Sequence, residues 1–264
     1  MVTIESLQVE QFLALSGPII DVRSPKEYLQ GHIPNSVNVP LFSDEERHIV
    51  GLTYKQKGQK EAIEEGVKIV GPKLFSFLQQ IKTLKGAPLR VYCFRGGMRS
   101  YFVSWFLSFL GMKVIQLKGG YKFFRRFVLR TVEAPPQFIV LAGLTGSGKT
   151  KILKTLKNEG EPVVDLEALA NHKGSAFGLD EKSCQPSCEH FENLMALEFL
   201  KNKDKDLVWI EDESRLVGSC TIPNGTFKAI KLAPCIQIES SLQERIDTII
   251  KDYGKYSKEY NKPK

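Results

Sequence analysis

The stretch FIVLAGLTGSGKT (138–150) constrains the fold more than any other part of the chain. Five apolar residues read as a buried strand, and they run straight into a glycine-rich turn and then the helix-forming KILKTLKNEG (151–160). A strand that leads into a helix in this way belongs to a parallel sheet, since parallel neighbours need a crossover and a helix is the usual one. The turn itself, Gly143 to Thr150, satisfies G-x4-G-K-[ST] at every position. In that pattern the backbone N–H groups of Gly143, Thr145, Gly146, Ser147 and Gly148 cradle phosphates, Lys149 neutralises their charge, and the Thr150 hydroxyl can hold Mg²⁺. The pattern recognises phosphates and says nothing about what is attached to them. ATP and other diphosphates both stay open, and no stretch marks a base pocket.

The rest of the chain has room for a second domain of ordinary size in its 264 residues. Upstream, the apolar runs PIIDVR, SVNVP, LRVYCF and KVIQLKGG read as strands, separated by the amphipathic SPKEYLQG, a long charged stretch to about residue 86, and RSYFVSWFLSFLG. This alternation predicts an α/β domain with a parallel sheet and helices on both faces. The two prolines of EAPPQ (133–137) interrupt it. We expect one α/β domain over 1–134 and a P-loop α/β domain over 135–264, the latter with PVVDLE, DLVWIEDES and CIQIES as its remaining strands. The tail KDYGKYSKEYNKPK (251–264) reads as frayed. No apolar run is long enough to cross a bilayer, and MVTIESLQVEQF has neither a basic nor an apolar leader segment, so a cytoplasmic protein is expected. Five scattered cysteines imply reduced thiols rather than a disulfide framework. A formal charge of +7 suits a polyanionic partner, and equally suits plain solubility.

One of those thiols lies in a distinctive setting. Cys93 ends the strand LRVYCF and opens YCFRGGMRS, with Gly96 and Gly97 allowing a tight curl before a helix. Backbone N–H groups of Phe94, Arg95, Gly96, Gly97, Met98 and Ser100 can then line one concavity, which draws anions and favours a thiolate at Cys93. Arg99 can fork onto a tetrahedral oxyanion, and Arg95 adds charge. A buried cysteine that merely ends a strand would need neither two glycines nor two arginines. Downstream acids form a looser set: Asp165 ends PVVD, and Glu211, Asp212 and Glu213 follow LVWI, where a carboxylate would complete a Mg²⁺ site. A solvated strand end is the alternative for each. Cys184 and Cys188 with His190 lack the spacing of a zinc finger and a clear fourth ligand, so no resident metal is assigned there.

DVRSPKEYLQGHIPNSVNVP (21–40), VYCFRGGMRS and LKGGY (117–121) together resemble a rhodanese domain. The resemblance implies that Cys93 carries sulfur or selenium, that Asp21 and Arg23 flank the loop, and that His32 is structural. Cys93 to Arg99 spells C-x5-R, the loop length of cysteine phosphatases, one residue longer than in simple sulfurtransferases. With GLTGSGKT, VDLEALANHKGSAFG (164–178) and WIEDESRLVGS (209–219), the chain resembles the tRNA 2-selenouridine synthase family from about residue 18 to 250. That resemblance implies conversion of wobble 2-thiouridine to 2-selenouridine in tRNA through a geranylated intermediate, with selenophosphate and geranyl diphosphate as substrates. It also suggests substrate contact for Arg215. Members of the family generally continue further, so a partner chain or oligomer completing the C-terminal domain is an open expectation. The helix from Tyr121 is a candidate tRNA surface: Lys122, Arg126 and Arg130 recur on one face with Arg125 beside them, and Phe123 and Phe127 are expected as its apolar ridge. A solvated face is the plain alternative. The rival functions are a rhodanese-type sulfurtransferase with a nucleotide-binding regulatory module, a cysteine phosphatase fused to a P-loop kinase, and a non-catalytic tRNA-binding remnant.

Overall fold

The computed structural model describes residues 3–172 and 184–253. The expectations for residues 173–178 and for the end of the tail, 254–264, lie outside them. The chain divides into two compact units, Met1–Phe127 and Val128–Lys264.

The first unit contains β1 (Glu5–Leu7), α1 (Val9–Ala14), β2 (Ile19–Asp21), α2 (Pro25–Gln30), β3 (Ser36–Asn38), α3 (Asp44–Lys57), α4 (Gln59–Val70), α5 (Leu74–Lys82), β4 (Leu89–Tyr92), α6 (Met98–Phe109) and β5 (Val114–Leu117). Helix α7 (Gly120–Glu133) begins in it. The sheet is wholly parallel in the order β1-β5-β4-β2-β3. Every residue of β2, β4 and β5 is buried. Successive side chains point to opposite faces, so helices cover both sides, as expected of a rhodanese-like α/β domain. Local chemistry sets the helix starts. Pro25 opens α2 behind Ser24, whose backbone N–H donates to the Glu27 carboxylate at 3.2 Å. The charged stretch before residue 86 resolves into α3, α4 and α5, of which α4 packs Val70 and α5 packs Phe77 and Ile81 into the core with Ile20, Val91 and Leu107.

Strand β1 was not among the expected strands. Its three residues ESL form a largely exposed edge and show no apolar alternation, so only pairing with β5 makes them a strand.

The second unit contains β6 (Phe138–Ala142), α8 (Lys149–Asn158), β7 (Val163–Val164), α9 (Leu166–Leu169), α10 (Cys188–Lys201), β8 (Val208–Glu211), β9 (Leu216–Val217), β10 (Cys220–Thr221), α11 (Asn224–Leu232), β11 (Cys235–Gln237) and α12 (Leu242–Tyr253). Four parallel strands lie in the order β11-β6-β8-β7, which matches the P-loop reading. Strands β9 and β10 form a small antiparallel hairpin that the sequence reading missed. Strand β11, at the sheet edge, is exposed along its length. No described helix is long and apolar enough to cross a membrane.

Candidate functional site

In the first unit, register brings two strand ends together. Asp21 of β2 lies opposite Tyr92 of β4, so the loops that follow share the C-terminal edge of the sheet, where open α/β folds place ligands. Cys93 is 3% exposed and forms the floor of its loop. Its Sγ lies 3.2 Å from the Ser100 Oγ, and Gln116 Nε2 donates both to that hydroxyl at 2.7 Å and to Gly96 O at 2.8 Å. The rim residues Phe94, Arg95, Gly97 and Met98 are exposed.

The LKGGY segment explains itself here. The backbone N–H groups of Tyr121 and Lys122 donate to Cys93 O and Phe94 O, both at 2.9 Å, which clamps the loop onto the start of α7. Gly120 has φ +58°, and a Cβ on it would come within 2.3 Å of Cys93 O and 2.4 Å of Gly96 N. Only glycine permits that approach.

Arg99 does not stand free for an oxyanion. Its guanidinium forks onto Glu27, with Nη1 2.6 Å from Oε2 and Nη2 3.1 Å from Oε1. Although burial alone would raise the Glu27 carboxyl, the Arg99 fork holds it below its ordinary range. Asp21 and Arg23 form a buried pair at 2.6 Å, with the Arg23 guanidinium 3.8 Å from the Tyr121 ring centroid. They scaffold the loop rather than line it. His32 stacks on Tyr28 at 3.8 Å, and burial lowers its imidazole, in keeping with a structural role.

In the second unit the turn after β6 has the expected shape. Gly148 takes up a left-handed conformation at φ +89° as the cap of α8, and Lys149 Nζ donates to Gly143 O. Ser147 Oγ is buried without a partner among the described residues, and a Cβ on Gly143 would meet it at 2.5 Å. The backbone therefore closes tightly around a small polar cradle.

Beside it lies a carboxylate cluster. Glu167, Glu211 and Glu213 bring ligand oxygens within 4.8 Å of one another, and Thr150 Oγ1 donates to Glu167 Oε2 at 3.3 Å. Glu211 is fully buried; its Oε1 accepts from the Glu167 N–H at 2.7 Å, while Oε2 has no partner among the described residues. Burial, reinforced by Glu167 and Asp165, pushes the Glu211 carboxyl up to about 9. Glu213 rises to about 7, again by burial first and then Glu167, with Lys149 opposing.

The other expected acids take other partners. Asp165 caps α9 through the Ala168 N–H at 2.8 Å, and Asp212 pairs with Lys231 at 2.7 Å in a half-exposed salt bridge. Arg215 bonds Asn224 and lies 5.2 Å from the Phe227 ring. Glu167 was missed as a ligand because it follows β7 by sequence but meets Glu211 only through the fold. Cys188 and Cys220 donate to backbone carbonyls, and no described residues make a cysteine–histidine cluster.

On α7, Lys122, Arg126 and Arg130 are exposed and Arg125 is half-buried. The expected apolar ridge needs correction. Phe127 is buried, but Phe123 is 39% exposed; the buried line is Tyr121, Phe124, Val128 and Val132. The helical period places Phe123 off that line, over Gly119 and beneath the Arg126 guanidinium.

Comparisons with known proteins cover both units. A family model described as "Rhodanese-like domain" matches residues 7–126, and one described as "tRNA 2-selenouridine synthase AAA domain" matches residues 136–262. The tRNA 2-selenouridine synthase of Marinobacter nauticus (strain ATCC 700491 / DSM 11845 / VT8) is 40% identical over 246 residues, 89% of this chain and 65% of that protein. The chain belongs to the tRNA 2-selenouridine synthase family. The family member of Sulfurovum sp. (strain NBC37-1) is 39% identical over 246 residues, with 89% and 66% covered. The chain thus spans about 65% of the length of the curated relatives it matches. A crystal structure of an N-terminal domain from Clostridium difficile 630 is 42% identical, with TM-score 0.46, covering 47% of this chain and 99% of that one.

Proposed function

We propose that this chain carries the machinery for replacing sulfur by selenium at a wobble 2-thiouridine of tRNA, through an S-geranylated intermediate. The observation that supports this reading best is the presence in one chain of two loops, each at the end of a parallel strand. One is floored by the thiol of Cys93 and the other is closed by Lys149. Identity of 40% to a curated synthase over 89% of the chain supports the same assignment.

The chemistry needs two steps. A 2-thio sulfur leaves poorly as a thiolate. In the first step its lone pair attacks the first carbon of geranyl diphosphate, the diphosphate departs with the electron pair of the broken C–O bond, and N3 of the base gives up its proton to solvent, which leaves a neutral S-alkyl pyrimidine. The cradle of Gly143, Thr145, Gly146, Ser147, Gly148, Lys149 and Thr150 stabilises that departing charge. In the second step the selenium of selenophosphate adds at C2 and the alkylated sulfur leaves with a proton as geranyl thiol; water then cleaves the P–Se bond, which leaves selenium on C2 and releases inorganic phosphate. The loop of Cys93, Phe94, Arg95, Gly96, Gly97, Met98, Arg99 and Ser100 receives the selenium donor, a tetrahedral anion. Release of Arg99 from Glu27 would give that anion its fork.

A divalent cation such as Mg²⁺ fits the residues beside the cradle. The unpartnered Glu211 oxygen, the carboxylates of Glu167 and Glu213, and the Thr150 hydroxyl form an all-oxygen donor set. Bound there, it would offset diphosphate charge. The exposed Lys122, Arg126 and Arg130, with Arg125, supply a basic face for the tRNA backbone.

The test is to incubate the purified chain with 2-thiouridine tRNA, geranyl diphosphate and selenophosphate, and to weigh the wobble nucleoside. A mass gain corresponding to selenium in place of sulfur supports the proposal. An unchanged nucleoside from folded protein overturns it. Thiosulfate or aryl phosphate turnover in its place would favour a sulfurtransferase or a phosphatase.

A further inference from the structure

The phosphate-binding turn is held from outside by a residue its motif does not contain. Gly146, at φ +81°, lies against α12: a Cβ there would come within 2.6 Å of Arg245 O and 3.0 Å of Ile249 Cγ1. From the same helix face, Arg245 Nε donates to Thr145 O at 2.9 Å. An arginine on a helix flank ordinarily settles on a carboxylate one turn away. Here none stands one turn away, where the chain has Ser241, Leu242, Thr248 and Ile249. The acids nearer in sequence are engaged, Glu244 accepting from the N–H and hydroxyl of Ser241, both at 2.8 Å, and Asp247 accepting from Gln243 at 3.0 Å. Among the described residues the two Nη groups of Arg245 make no hydrogen bond or ion pair. They lie within a guanidinium's width of the turn, anchored by the Nε bond.

We infer that Arg245 is a second cationic ligand for the phosphoanion held by the turn, acting with Lys149. This rests on the reading of the turn as a diphosphate site and names a residue for it outside the motif. Lys149 is a point charge on the cradle itself. A diphosphate carries two adjacent tetrahedral groups, and the planar fork of Arg245 suits a pair of phosphate oxygens that a single ammonium cannot span. The Nε bond to Thr145 O fixes the fork without using its Nη donors, so little ordering is left for the moment of binding. Next to it, α8 and α12 border a groove of about 500 Å³ that reaches Ser147 and Gly148 and has Ile152 and Leu156 on one wall. This leaves room for the organic group attached to the diphosphate.

The experiment is calorimetric titration of the full chain with inorganic pyrophosphate in the presence of Mg²⁺, for the wild type, Arg245→Ala, Arg245→Lys, Ile249→Ala and Lys149→Ala. Loss of a charge-assisted fork should weaken pyrophosphate binding by about 10- to 100-fold in Arg245→Ala. Arg245→Lys should recover part of it. Ile249→Ala, which loosens the packing of α12 on Gly146 and leaves the charge in place, should stay near wild type. Wild-type affinity in Arg245→Ala, with binding lost in Lys149→Ala, would overturn the inference and leave the reading of the turn intact. Equal losses in Arg245→Ala and Ile249→Ala would also overturn it, reducing Arg245 to a packing contact. No pyrophosphate binding by the wild type would overturn both.

Discussion

Replacing Glu211 by glutamine should make the P-loop unit more stable at alkaline pH. The Glu211 carboxyl is raised from 4.5 to about 9, so the folded state holds a proton that the unfolded chain gives up. Stability is then full below about pH 4.5 and is lost progressively as the pH rises to about 9. Glu213, raised to about 7, adds its own slope at lower pH, which leaves pH 7 to 9 as the window that reports on Glu211. Across that window the wild type should lose up to about 3 kcal/mol, at about 1.36 kcal/mol per unit. Glu211→Gln keeps the carbonyl that accepts from the Glu167 N–H and cannot ionise, so its stability should change little over the same range. Trp209 lies on β8, two residues before Glu211, and Trp105 is the other of the chain's two tryptophans. Urea unfolding of a Trp105→Phe background, followed by Trp209 fluorescence with EDTA present, isolates the local transition. Equal pH slopes in both proteins, or a less stable Glu211→Gln at pH 8, would refute the reasoning.

Further outcomes follow from the same geometry. With EDTA replaced by Mg²⁺, the wild type should gain stability at pH 8 and Glu211→Gln and Glu167→Gln should not; Asp212→Asn, whose partner is Lys231, should respond like wild type. Glu27→Gln retains the cap on Ser24 and frees the Arg99 fork, so inorganic phosphate or thiosulfate should bind the Cys93 loop up to about tenfold more tightly, read by competition with a thiol reagent. Gly120→Ala should destabilise the first unit by about 3 kcal/mol or more, because backbone atoms block the new Cβ. Gly97→Ala, with nothing within 4 Å of the added carbon, should be tolerated; thermal unfolding separates the two.

Both loops were legible because each is contiguous: the glycines, the cysteine or lysine, and the flanking strand and helix lie within about a dozen residues. What surrounds them was not, because it arrives from far along the chain. Glu27 meets Arg99 across 72 positions, Glu211 meets Glu167 across 44, and Arg245 meets Thr145 across 100. No local pattern announces such pairs. LKGGY was visible as a motif, yet its reason, the seat of Gly120 under Cys93 O, exists only in the fold. Phe123 was misplaced because residue type was weighed above helical phase. A three-residue edge strand such as β1 carries too little periodicity to be read at all.

The proposed reaction divides the labour between the two loops, one for alkylation and one for selenium, and nucleoside analysis of two variants can separate them. Given 2-thiouridine tRNA, geranyl diphosphate and selenophosphate, Cys93→Ser should accumulate the S-geranylated nucleoside without selenium. Lys149→Ala should leave the 2-thiouridine unaltered. Selenium incorporation by Cys93→Ser, or geranylation undiminished in Lys149→Ala, would contradict it.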